Sequence, residues 1–82
     1  EPAPAKAAPK RLGYLEQREW DQMEDKVLAA EDALARAQEA MDDPGVASNP
    51  KALQERLAAL TVAQAEVERL YARWAELEEK VR

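Results

Sequence analysis

The chain has no cysteine, no histidine and no phenylalanine, and only two glycines among its 82 residues. Without cysteine there is no disulfide framework and no thiolate to act as nucleophile or metal ligand. Without histidine the commonest general base and metal-binding side chain is missing. Ser48 and Thr61 are the only residues of their kind, and neither has an activating partner in the sequence. There is no GxGxxG and no phosphate-binding GxxxxGK[ST] loop. No apolar run approaches the ~20 residues that a membrane span needs, and no signal-peptide pattern opens the chain. These absences predict a soluble, cytoplasmic, non-enzymatic protein with no membrane partner. They predict no catalytic, cofactor-binding or metal-binding residue. The chain opens on Glu1 rather than Met, which points to a segment or a processed product of a longer protein.

What is present favours helix. Ala, Glu, Leu, Arg and Gln dominate, all of them good helix formers, a composition typical of coiled coils. Seventeen acidic residues against twelve basic ones give a net charge of −5, which argues mildly against a generic polyanion binder. The paired carboxylates, such as Glu24 with Asp25, read as a solvated helix face.

Residues 1–11, EPAPAKAAPKR, read as a flexible Pro/Ala/Lys linker, extended where proline dominates. Residues 12–82 read as one all-α unit, an antiparallel two-helix coiled-coil hairpin. Its first helix is expected at about 15–42, its loop at 43–49 and its second helix at about 50–81. In the first helix Trp20, Met23, Val27, Ala30, Leu34, Ala37 and Met41 step by three and four alternately, the spacing of a heptad seam. Pro44 and Gly45 are expected to stop that helix. Asn49 suits an N-cap and Pro50 the first helical position. The second stripe is expected to be Leu53, Leu57, Leu60, Val67, Tyr71, Trp74 and Val81, with Gln64 as a polar exception. That glutamine would either fix the register or reach water past Ala30.

Placing Trp20 opposite Trp74 in an antiparallel hairpin aligns the two stripes throughout. Met23 then meets Tyr71, Val27 meets Val67, Leu34 meets Leu60, Ala37 meets Leu57 and Met41 meets Leu53. The midpoint falls inside the loop. Leu70 and Leu77 are left over as spare apolar surface. They are expected to be covered by Leu12, Tyr14 and Leu15 folding back, or by a second copy, so the expected state is a monomer or weak dimer.

The same fold gathers basic residues at the open end. Lys10, Arg11, Arg18, Arg69, Arg73, Lys80 and Arg82 form the candidate nucleic-acid site, where phosphate contacts would be largely independent of base sequence. The competing expectation is ordinary surface pairing, such as Arg18 with Glu76. The tip is acidic, with Glu39, Asp42 and Asp43 against Lys51.

Two stretches carry a resemblance. Leu12-Gly13-Tyr14-Leu15-Glu16-Gln17-Arg18-Glu19 resembles the L-S-Y-K-E-Q-R-E opening of the C-terminal domain of Uup-type ABC-F ATPases. Tyr71-Ala72-Arg73-Trp74-Ala75-Glu76-Leu77-Glu78 is similar to that domain's closing E-R-W-x-E-L-E. Asp43-Pro44 and Asn49-Pro50 match its D-P…D-P turn, while Gly13 and Leu15 stand where the family has Ser and Lys. The resemblance implies ATP-binding cassettes upstream, which would carry the ATP, the Mg and the ATPase activity, with the linker as their tether. It also implies DNA binding by this domain, with Lys10, Arg11, Arg18 and Arg73 as the contact positions, and a role of the parent in DNA- or ribosome-linked processes. Two function classes follow. One is a nucleic-acid (DNA or RNA) binding arm. The other is a protein-interaction or structural lever that contacts the cassettes, the ribosome or another copy.

Overall fold

A computed structural model describes residues 12–81, and among these every regular element is helical. Helix α1 spans Tyr14–Met41, α2 is a single turn at Pro44–Ala47, and α3 spans Pro50–Val81. The 28 residues of α1 and the 32 of α3 correspond to rods of about 42 and 48 Å. The rods pack side by side and antiparallel. Glu16 lies against Lys80 and Glu19 against Arg73, while Glu31 further along α1 meets Tyr71 further back on α3.

Local chemistry sets the ends. The Gly13 backbone N–H donates to Glu16 Oε1 (3.3 Å), half of a capping box, and glycine has no side chain to return the bond. Asn49 Oδ1 accepts from the Ala52 N–H (3.1 Å), so Asn49 caps α3 just before Pro50. Asp43 does the same service ahead of Pro44, its Oδ1 accepting from the Gly45 N–H at 2.9 Å. The segment expected as a plain loop therefore contains a helical turn. Pro44 opens that turn rather than closing α1, which already ends at Met41. The reason is the one applied at Asn49-Pro50: a capping side chain followed by proline starts a helix. The turn buries Val46 at the closed end.

Met23, Val27 and Ala30 of α1 and Leu70 and Leu77 of α3 form the core, with Leu12, Trp20, Val67 and Trp74 packed against it. Each fully buried aliphatic side chain contributes roughly 1.5–3 kcal/mol. The α1 stripe is as expected, buried from Met23 to Ala30 and half-buried at Trp20, Leu34, Ala37 and Met41. The α3 stripe differs. Its inward residues are Leu60, Ala63, Val67, Leu70, Trp74 and Leu77, whereas Leu57 and Tyr71 are each 45% exposed and Gln64 is exposed. From Val67, steps of three then four and of four then three both land on apolar residues. The first choice buries two leucines. The second would have buried an amide and a phenol, at a cost unless both found partners. Leu70 and Leu77 are thus the seam itself, not spare surface. Of the three residues expected to cover them, Leu12 does, while Tyr14 and Leu15 are each 75% exposed. Tyr14 is the first residue of α1, and helical phase turns it and Leu15 away from α3.

Candidate functional site

Correct phasing of α3 gives the hairpin two unlike long edges. In an antiparallel coiled coil the residues flanking the seam pair with their counterparts across it. On one edge Glu19 and Lys26 of α1 run beside Glu66, Arg73 and Lys80 of α3. Arg73 is the hub of this edge. Its Nε and Nη2 reach the two oxygens of Glu19 at 2.8 and 3.0 Å, a planar fork on a carboxylate. Its Nη1 donates to Glu76 (2.9 Å), and Glu16 lies 3.7 Å away. Lys80 donates to Glu16. Nearby, Arg69 forks onto Glu66 at 2.9 and 2.7 Å.

These contacts move proton affinities in the expected directions. The Lys80 ammonium, then the Gly13 N–H, hold the Glu16 carboxyl below the usual range. The Arg73 guanidinium does the same to Glu19, and Arg69 to Glu66. Arg69 and Arg73 are raised in turn by their carboxylate partners, Glu66 for the first and Glu19 then Glu76 for the second.

The candidate nucleic-acid residues divide accordingly. Arg69, Arg73 and Lys80 are in ion pairs, Arg73 and Lys80 across the two helices. Arg18 lies with its guanidinium 6.0 Å from the centre of the exposed Tyr14 ring, and it has no ion pair among the described residues. Glu76, named as its alternative partner, is taken by Arg73. Lys10, Arg11 and Arg82 lie outside the described residues. Among the candidate core residues, Leu34, Met41, Leu53 and Leu60 are half-buried toward the closed end.

On the opposite edge α1 presents Gln17, Glu24, Glu31 and Gln38. Facing them, α3 presents Leu57, Gln64, Tyr71 and Glu78. The Tyr71 hydroxyl donates to Glu31 Oε2 at 2.6 Å, and that carboxylate raises the phenol's proton affinity. The Tyr71 and Trp74 rings stack at 6.2 Å with an interplanar angle of 27°. With Trp20, Ala75 and Glu78 they line an open groove of about 430 Å³. Sequence reasoning missed this edge because it had assigned Tyr71 and Gln64 to the seam. The signal was available: flanking positions on both helices that hold acids and amides but no cation.

Among the described residues no group of three or more acidic, histidine or cysteine side chains is placed to hold a metal ion. No described helix is long and apolar enough to cross a membrane. The family model described as ABC transporter C-terminal domain matches residues 11–79. No curated protein and no solved structure matches the chain.

Proposed function

The chain belongs to the ABC transporter C-terminal domain family, an accessory domain rather than an ATPase cassette, and on that premise we propose that it is a protein-interaction and structural lever. In this reading it is the non-catalytic C-terminal arm of a Uup-type ABC-F ATPase in the cytoplasm. The cassettes upstream bind ATP and Mg and hydrolyse the nucleotide. This arm contacts them, the ribosome or another copy.

The observation that carries this reading is the commitment of the open-end cations. Arg73 is forked onto Glu19 across the helix pair, and Lys80 is held by Glu16. They brace one helix against the other. A phosphate would have to displace carboxylates already in place, and the net charge of −5 opposes its approach.

The second reading, nucleic-acid binding, is favoured by one corner. Arg18, over exposed Tyr14, offers a guanidinium with no ion pair among the described residues and a ring on which a base could stack. Lys10 and Arg11 lie close by in sequence.

Titrating duplex DNA, single strands and ribosomes against the chain at two salt concentrations separates the two. The lever predicts no strongly salt-dependent DNA binding, and copurification with the cassettes or ribosomes that survives Arg18→Ala. Tight DNA binding would overturn it if the logarithmic salt slope fell by about 0.9 on Arg18→Ala.

A further inference from the structure

The aromatic edge is chemically unlike the rest of the arm. Trp20, Tyr71 and Trp74 floor its groove, and Glu78 stands on the rim. Glu24 lies one turn beyond Trp20 along the same edge, and Glu31 about two turns farther. The flanking positions on this side hold no lysine or arginine from Tyr14 to Val81. Glu24 and Glu31 have no ion pair among the described residues, whereas on the opposite edge Glu19, Glu16 and Glu66 are paired with Arg73, Lys80 and Arg69. Acidic side chains around aromatic faces form a field that repels polyanions and attracts cations. A lysine or arginine head over an indole or phenol face gains a further attraction. Grooves floored by aromatic rings also suit extended, proline-bearing peptides, which lose little entropy on docking.

We propose that this edge is the docking surface for an extended, proline-containing peptide segment rich in lysine or arginine, belonging to a partner protein. The basic heads lie over Trp74 and Trp20 and toward Glu24 and Glu31, and the apolar links between them fill the groove. Glu31 can accept such a head while still bonded to Tyr71, because a carboxylate has several acceptor sites. This inference rests on the protein-interaction reading and names the partner class for one face of the arm.

The probe is a synthetic peptide of alternating lysine and proline, titrated against the chain at low salt while tryptophan emission is followed. Both tryptophans line the groove, so binding should change emission saturably. Glu24→Gln with Glu31→Gln should weaken binding roughly threefold to tenfold. Glu39→Gln with Glu55→Gln, which removes the same charge from exposed positions elsewhere, should leave it unchanged. Far-UV circular dichroism confirms that both doubles remain folded. Equal weakening by the two doubles, or no saturable change in emission, would overturn the proposal. So would about a tenfold gain in affinity on deleting residues 1–11, because Lys6, Lys10 and Arg11 of the chain itself would then be the occupants. Copurification with the cassettes or ribosomes tests the broader lever reading separately. Its survival beside a failed titration removes this face alone.

Discussion

Among the described residues Arg73 pairs with more carboxylates than any other cation. Its side chain is 29% exposed, its fork holds Glu19 at 28%, and it also reaches Glu76 and Glu16. Exposed ion pairs usually contribute little, but a two-pronged, partly covered guanidinium within a network is the favourable case. The pH consequence has a definite sign. Glu16 and Glu19 titrate lower folded than unfolded, so their contribution is present above the ordinary carboxylate pKa of about 4.3 and is lost as pH falls through their folded values. Thermal melts between neutral pH and strong acid should therefore show falling stability below about pH 4.3. Arg73→Gln should flatten that fall, and an unchanged acid profile would remove Arg73 from this role. Tyr71 has the opposite sense. Its proton affinity is raised by Glu31, so its contribution holds at neutral pH and is lost as pH rises through the folded value.

At the scale of the element, α3 carries the decisive ambiguity. Its sequence permits two seams, one through Leu70 and Leu77 and one through Leu57, Gln64 and Tyr71. In α1 no such choice arises, because the alternative steps of four from Trp20 and Val27 land on Glu24 and Glu31 rather than on apolar residues. That is why α1 was legible from spacing alone and α3 was not. The two seams predict different mutational costs. Leu70→Ala should destabilise by roughly 2–5 kcal/mol, since its side chain is buried among Met23 and Val27. Leu57→Ala, at a 45% exposed position, should cost under about 1 kcal/mol. Urea melts of the two variants decide the matter, and a larger loss at Leu57 would reverse the assignment. The closed end shows the same lesson in miniature. Asn49-Pro50 reads as a helix start, and Asp43-Pro44 obeys the same rule. Its one-turn helix is too short to carry a hydrophobic period.

For the whole molecule, the burial of Leu70 and Leu77 changes the expected assembly. Spare leucines at the open end would have needed Leu12, Tyr14 and Leu15, or else a second copy, to cover them. With those leucines inside the seam, the large exposed apolar residues are Tyr14, Leu15 and Val81 toward the open end and Leu28, Leu57, Val62 and Tyr71 spaced along the rod. Scattered exposed apolar residues do not by themselves make an interface. Sedimentation equilibrium should give the mass of one chain, 9.2 kDa, across concentrations. A mass that climbs with concentration would show that the hairpin still needs a partner of its own kind.

The sequence by itself determined the helices, the antiparallel turn and the absence of histidine and cysteine chemistry. Each is a local property: propensity, capping and the presence or lack of a residue type act over a few positions. The tertiary structure alone decided which of two apolar stripes on α3 became the seam. It also decided which basic residues at the open end were already bound to carboxylates. Both depend on the rotation of one helix against the other. A turn of about 100° per residue separates Leu70 from Tyr71, and only packing against Met23 and Val27 selects the leucine. Once it does, Arg73 faces Glu19 and Tyr71 faces Glu31, so that one edge carries the ion pairs between the helices and the other carries the aromatic groove.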